Sequence, residues 1–396
     1  MAAINININA LSLNTPYKKQ CSRPRPRRSS SSVRSSSSRS VRSQVVVASN
    51  GNTPKKVVIT GGTGLVGSAL ANTLTSRGDN VVILTRDRFK ARGSVKPARG
   101  KDAGALAFVE TQDFADAVRG AYAIVNLAGE PISTRWTDEI KREIKSSRIR
   151  ITELVATTIN ELPEEDRPKV LVSASALGYY GTSMSATFDE QSPGGTDYLA
   201  EVCRDWEAAA SAAEVERRVI VRIGIVLSNE GGALAKMVPL FQMFAGGPPG
   251  EGSQWFSWIH RDDLVNMLIT AIDDSRYEGV VNGVAPSPVR MSEFCSRLGQ
   301  TLGRPNWLPV PGFALNAVLG EGASVVLDGQ RVVPSRAQEL GFQFRTTSVQ
   351  QSCLHIKRAA RASTGMNDGD DDDDYMPPLE VVTPGDTPRD TPTPSL

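Results

Sequence analysis

The sequence predicts an α/β fold of the doubly wound kind: a parallel sheet with helices on both faces and a smaller C-terminal substrate lobe. Three observations carry this expectation. First, Thr60-Gly61-Gly62-Thr63-Gly64-Leu65-Val66-Gly67 follows the apolar run Lys56-Val57-Val58-Ile59 and opens a helix-like stretch. Strand, glycine turn and helix in that order hold a dinucleotide pyrophosphate. Second, apolar runs at Val57–Thr60, Val81–Leu84, Ala123–Leu127, Val170–Ser173 and Val219–Ile225 alternate with helical patterns, the βαβ rhythm of a sheet covered on both sides. Third, the roughly 310 residues from 51 to 360 exceed one simple Rossmann unit. Residues 55–226 therefore read as a Rossmann nucleotide-binding domain, and 227–358 as a mixed lobe with returning Rossmann elements.

Within the loop each glycine has its own duty. Gly61 permits the tight turn, Gly64 lets the backbone approach a diphosphate, and Gly67 allows helix and strand to pack closely, while the helix N-terminus offers free N–H groups to an anion. Thr60, Gly61, Gly62, Thr63, Gly64, Leu65, Val66 and Gly67 are thus the expected cofactor-binding set; an empty glycine-rich turn is the bland alternative. At the end of the second strand an NAD enzyme commonly places a carboxylate against the ribose 2′-hydroxyl. This chain has Thr85-Arg86 there. A guanidinium pairs bidentately with a 2′-phosphate and stacks on adenine, so Arg86 argues for NADP(H). Asp87 competes, since a one-residue change of register presents it to the ribose, and a merely solvated Arg86 is the plain alternative.

Further along, Trp136 to Leu162 carries Ile140, Ile144, Ile151 and Val155 near helical spacing with Lys and Arg between them, which predicts an amphipathic helix. Leu199 to Ala213 predicts a second, with Leu199, Val202, Cys203, Trp206 and Ala210 on one side and its charged residues facing out. Leu227 to Gly252 and Asn282 to Arg345 are rich in Gly and Pro, with shorter periodic segments. They are expected to cap the crevice at the carboxyl ends of the strands, where ligands of such sheets bind.

The termini differ from this body. The first fifty residues contain no Asp or Glu but seven Arg, two Lys and the serine runs Ser29 to Ser32 and Ser35 to Ser38, which resembles an organelle transit peptide over residues 1–48, with Val46-Val47-Ala48 as the cleavage zone. Serine-rich composition with modest amphipathicity favours a plastid; a basic nucleic-acid-binding arm is the alternative. The net charge of +2 includes those nine basic residues, so the remainder is net acidic and no nucleic-acid footprint remains. Asp370 to Asp374 followed by prolines and Thr-Pro pairs makes 361–396 read as a disordered acidic tail, a solvating terminus or a partner-docking element. The four cysteines show no CxxC spacing and there are two histidines, so neither a disulfide framework nor a metal site is expected. No apolar stretch reaches the length of a spanning helix.

Beyond the glycine loop, four segments stand out: Val125-Asn126-Leu127-Ala128-Gly129-Glu130-Pro131, Ser173-Ala174-Ser175-Ala176-Leu177-Gly178-Tyr179-Tyr180-Gly181, Trp255-Phe256-Ser257-Trp258-Ile259-His260, and Arg331-Val332-Val333-Pro334. With the loop they resemble an extended or atypical short-chain dehydrogenase/reductase of the SDR39U1 epimerase family, in its plastid-targeted plant form, over almost all of 55–358. The resemblance implies that Asn126, Leu127, Ala128 and Gly129 pass beside the adenine and ribose. It also implies that Ser175, just past the strand Lys169–Ser173, hydrogen-bonds a substrate carbonyl or hydroxyl, and that Tyr180 and His260 lie on the substrate side. His260 resembles the end of a strand returning to the pocket before a helix capped by Asp262 or Asp263; a histidine satisfied structurally by those carboxylates is the alternative.

Proton transfer needs a tyrosine whose pKa falls from about 10 toward neutrality, usually through a lysine one helical turn later. Tyr198 begins the helix in the expected region, but four residues on stands Val202; if Leu199 is the aligned position, its partner is Cys203. Arg204 is off the helical face of Tyr198. The usual Tyr/Lys pair is therefore missing. Two functions remain: an NADP(H)-dependent oxidoreductase or epimerase of the plastid stroma acting on an unidentified small molecule, or a nucleotide-binding module acting through a partner. The family association of plant members with plastid division at the inner envelope fits the second.

Overall fold

The structure is a computed structural model that describes residues 53–98 and 100–355; the expected presequence and acidic tail lie outside the described residues. Seven strands, β1 (Lys56–Thr60), β2 (Asn80–Leu84), β3 (Leu106–Val109), β4 (Ala123–Asn126), β5 (Val170–Ala176), β6 (Arg217–Ile223) and β7 (Gly279–Gly283), form one sheet in the order β7-β6-β5-β4-β1-β2-β3. Every pairing is parallel. The strand order reverses beside β1, which pairs with both β2 and β4, and this switch point places a ligand crevice at the strand ends.

Alternation along the strands builds a core on each face. Val57, Ile59, Val125 and Val172 pack with Leu70 and Leu74 of α1 (Leu65–Ser76). Val58, Ile124 and Leu171 face the opposite way, against Phe114 of a short helix, α2 (Arg88–Ser94) being followed by α3 (Phe114–Val118), and against Val155 and Ile159 of α4 (Asp138–Asn160). α5 (Tyr198–Ser211) packs beside α4, and after α6 (Gly232–Gln242), α7 (Arg261–Asp273) covers the α1 face with Leu268 and Ile272. A separate cluster of Leu234, Phe241, Phe256, Trp258, Phe294 and Leu298 gathers α6 and α8 (Met291–Leu302).

Several boundaries differ from the sequence expectation for identifiable reasons. α4 starts at Asp138, because the Thr137 hydroxyl accepts from the Ile140 N–H (3.3 Å); α5 starts at Tyr198, because the Asp197 carboxylate accepts from Ala200 (2.9 Å). The expected strand Val219–Ile225 breaks at Gly224, where a Cβ would stand 2.8 Å from the Ser257 carbonyl oxygen and from Val284. The chain resumes as Ile225–Ser228, paired in parallel with Trp258–His260. β3 and β7 carried no strand signal: the first is a half-exposed edge, and the second is flanked by Gly279 and Gly283.

Two carboxylates fasten the C-terminal segment. Asp263, fully buried, accepts from the Arg345 (3.0 Å) and Thr346 (2.9 Å) amides, and Glu190 accepts from Asn282 (2.9 Å) and Arg336 (3.2 Å). Neither Asp262 nor Asp263 caps α7: His260 does, its Nδ1 accepting from the Asp262 N–H at 3.2 Å. Among the described residues no helix is long and apolar enough to cross a membrane, and no group of three or more His, Cys, Asp or Glu could hold a metal ion.

Candidate dinucleotide site and the cavity beside it

The loop between β1 and α1 is shaped by what its glycines leave out. Gly61 adopts φ +68°, and a Cβ there would stand 2.7 Å from the Leu127 carbonyl carbon and oxygen. A Cβ on Gly67 would run into the Gly61 carbonyl oxygen and lie 2.7 Å from Gly62 Cα. On Gly64 a Cβ would meet nothing nearer than the Gly61 oxygen at 3.3 Å, so this glycine and exposed Thr63 form the open side of the turn. No side chain caps α1, and its first turn carries no acid. The N–H groups at Leu65, Val66 and Gly67 therefore present the partial positive charge that suits a diphosphate. Leu65 packs against Gly231 and Gly232, 3.4 Å from a Cβ on either.

Thr60 and Asn126 serve the site from underneath. The Thr60 hydroxyl donates to Asn126 Oδ1 (2.6 Å), and Asn126 Nδ2 donates to Thr152 Oγ1 (2.8 Å) and Ser173 Oγ (3.2 Å). The Trp206 indole donates to the same Thr152 oxygen (3.0 Å). Both side chains are buried and tie β1, β4, β5, α4 and α5 together, while the chain after Asn126 rises as Leu127, Ala128 and exposed Gly129 along the loop.

At the end of β2 the two competing residues separate. The Arg86 side chain is 94% exposed, with one long contact to Glu130 at 3.6 Å. The Asp87 carboxylate is already engaged, accepting from Phe89 (2.9 Å) and Lys90 (3.0 Å) as the cap of α2.

Ser175 lies inside β5 rather than just past the strand, and it is buried. Its hydroxyl donates to Glu207 Oε1 at 2.6 Å. Glu207 is also gripped by Arg222, Nε to Oε1 and Nη2 to Oε2, both at 2.8 Å. The sequence expectation that the charges of α5 face outward is corrected at this residue. Arg222 further donates to the Tyr180 hydroxyl (3.1 Å) and lies over the Tyr179 ring (3.3 Å), and Tyr180 donates to Asn282 Oδ1 (2.7 Å). Burial pushes the Tyr180 phenol up to about 12. The signal that could have exposed this chain of contacts is Arg222 itself: a cation within Val219-Ile220-Val221-Arg222-Ile223 of an inner strand needs a buried partner.

Tyr198 donates its hydroxyl to the Lys141 carbonyl on α4 and is stacked edge-on by Trp136. The residues of α5 that face the end of β5 are instead Leu199, Val202 and Cys203, which with Ile132, Ala176 and Arg148 line a cavity of about 60 Å³. Burial pushes the Cys203 thiol up to about 11. His260 lines a separate pocket with Ser228, Glu230, Arg261 and His355, and burial lowers its pKa.

This geometry has close relatives. The model of the NAD dependent epimerase/dehydratase family matches residues 57–282, and a domain of unknown function matches 310–356. The chain is 53% identical to the chloroplastic SDR39U1 homolog, an epimerase family protein of Arabidopsis thaliana, over 80% of this chain and 90% of that protein. Against the epimerase family protein SDR39U1 of Homo sapiens it is 37% identical over 73% of this chain and 95% of that one. A crystal structure of human SDR39U1 (isoform 2) with NADPH superposes with a TM-score of 0.68 at 35% identity, covering 76% of this chain and 99% of that one.

Replacing Glu207 by Gln leaves the Arg222 guanidinium, whose side chain is 4% exposed, without a counter-charge. Breaking such a pair costs about 3–5 kcal/mol, so thermal unfolding of Glu207→Gln should show a fall of many degrees. An unchanged melting temperature would mean that solvent screens the pair.

Proposed function

The chain belongs to the NAD-dependent epimerase/dehydratase family, on its SDR39U1 branch, and from that premise we propose that it is an NADP(H)-binding, oxidoreductase- or epimerase-like protein of the plastid stroma that acts on a small molecule. The observation that carries this reading is the division of labour after β2: Arg86 extends into solvent with one long contact to Glu130, while Asp87 caps α2. A carboxylate holding two backbone amides is poorly placed to take a ribose hydroxyl as well, whereas a guanidinium suits a 2′-phosphate. The amides of Leu65, Val66 and Gly67 would hold the diphosphate, Leu127 to Gly129 would flank the adenine and ribose, and residues 227–358 would close the crevice. A nicotinamide bound there supplies a site for hydride transfer. Crystallisation of the human relative with NADPH supports the same choice. The serine-rich, acid-free N-terminus, read as a transit peptide over residues 1–48, and the chloroplastic name of the Arabidopsis relative support the plastid.

Arg86→Asp replaces the phosphate's partner with a like charge. Calorimetric titration should show NADPH affinity falling at least tenfold, with NADH affinity changed little; equal losses for the two nucleotides would remove Arg86 from the site.

Three contacts favour a second reading, a catalytically weak nucleotide-binding module working through partners, as in chloroplast division at the inner envelope. The Tyr198 hydroxyl is held by the Lys141 carbonyl, Ser175 is held by Glu207, and Leu199 and Cys203 stand where a proton-transferring pair would face the cavity. Under both readings the Tyr198 hydroxyl is committed to the Lys141 carbonyl, and burial raises its pKa, away from the neutral range a proton-transferring tyrosine needs. With any metabolite that supports NADPH oxidation, Tyr198→Phe should keep the wild-type rate within a factor of about two, and Ser175→Ala should lower it more if Ser175 contacts substrate. A collapse in Tyr198→Phe alone would restore the tyrosine to the chemistry.

A further inference from the structure

The cavity beside the strand ends holds one charged group, and among the described residues no carboxylate pairs with it. Arg148, on α4, donates from Nη1 to the Ile144 carbonyl (2.8 Å) and from Nη2 to the Glu130 carbonyl (2.9 Å). Its guanidinium approaches the Trp206 ring to 5.3 Å. Both hydrogen bonds go to neutral backbone oxygens, and among the described residues no carboxylate forms an ion pair with it; the carboxylate of Glu130 contacts Arg86 instead. Burial works against the charge of Arg148 and lowers its pKa. Gly129, at the lip of the crevice, packs so closely that a Cβ on it would stand 3.2 Å from the guanidinium carbon.

The opposite wall explains why that charge matters. The positions of α5 that line the cavity, Leu199, Val202, Cys203 and Trp206, offer no cation; the Cys203 thiol is turned to the Ala176 carbonyl (3.6 Å), the Trp206 indole donates to Thr152, and Ala176 at the end of β5 offers no hydroxyl. Ser175, one residue earlier, is turned to Glu207. The cation missing from α5 thus enters the same space from α4. A guanidinium stays protonated across the physiological range, so it cannot deliver a proton. It is suited to pair, in bidentate fashion, with an anion that already exists.

We propose that this cavity binds a compact aliphatic carboxylate, its oxygens paired with Arg148 and its short branched carbon chain against Ile132, Leu199, Val202 and Cys203. The cavity of about 60 Å³ takes only a few carbon atoms, the rest of a ligand lying in the crevice at its mouth. Apolar walls disfavour a hydroxylated chain, because its hydroxyls would be left without partners. The inference rests on the reading of the crevice as the ligand site, but not on which nucleotide occupies the neighbouring loop.

Isovalerate is the probe, with 3-methylbutan-1-ol as its neutral analogue, each titrated against the full chain by calorimetry and by saturation-transfer NMR. Isovalerate should bind saturably and at least tenfold more tightly than the alcohol, and saturating NADPH should not displace it. Arg148→Gln should weaken isovalerate at least tenfold, and Arg148→Lys should recover most of the loss. Cys203→Phe fills the cavity from the far wall, leaves Arg148 untouched, and should abolish binding in a cooperatively folded protein. The proposal is overturned by any of four results: no saturable binding, equal affinity for the alcohol, retained binding in Arg148→Gln or Cys203→Phe, or displacement by NADPH, which would mean that nucleotide and anion claim the same space. Failure of NADPH to bind at all, with isovalerate still bound, would count against the nucleotide reading and leave the cavity assignment standing.

Discussion

Two backbones meet at the crevice with no side chain between them, and the rest of the site depends on that approach. Gly61 faces the carbonyl of Leu127 at a distance where a Cβ would overlap it, and Gly67 sits against Gly61 and Gly62 in the same way. A methyl group at either place would push α1 off β1 or push the segment after β4 away from the loop. The first change removes the helix N-terminus from the strand ends; the second opens the wall formed by Leu127 to Gly129. Because interiors are packed to crystalline density, neither displacement is absorbed locally. The positive φ of Gly61 adds a separate restriction, since an L side chain there is strained even where space exists.

Beneath this contact lie two buried polar assemblies that hold the strand ends in register. Thr60, Asn126, Thr152, Ser173 and Trp206 join three strands to two helices through neutral hydrogen bonds. Ser175, Glu207, Arg222, Tyr180 and Asn282 do the same for β5, β6 and β7 through a buried ion pair. Each assembly is worth little net energy when complete, yet removing one member leaves a buried group unsatisfied at a cost of about 1–3 kcal/mol, more for a charge. Polar residues at the ends of strands in this fold invite a catalytic interpretation. Here their hydrogen-bonding capacity is largely taken up within the protein, and the cavity that remains is apolar apart from Arg148.

The fold was legible because its strongest signals are local. An apolar run, a glycine turn and a periodic helix lie within twenty residues, and inner parallel strands read as continuous Val and Ile runs. β3 and β7 were not legible for the converse reason: one is an edge with three half-buried residues, and the other is a short run bounded by Gly279 and Gly283. The site was legible only in part. Arg86 and the loop follow from position along the chain, whereas the fate of Ser175 depends on Glu207, thirty-two residues away, and helical periodicity placed Glu207 on the solvent side. The loss of the tyrosine–lysine pattern was visible at Tyr198 and Val202. That a cation returns from α4 was not, because Arg148 reads in sequence as one of many charges on an amphipathic helix and only the packing of α4 against α5 brings it to the cavity.

On the proposed reading the crevice takes NADP(H) through the loop and Arg86, and its far end faces Leu199, Val202 and Cys203. A crystal structure of the protein with NADPH tests this most directly. It should show the diphosphate on the amides of Leu65 to Gly67, the 2′-phosphate against Arg86, and the nicotinamide toward Leu199 and Cys203 with the Tyr198 hydroxyl still on the Lys141 carbonyl. A ribose held by Asp87, or Tyr198 swung onto the nicotinamide ribose, would contradict it.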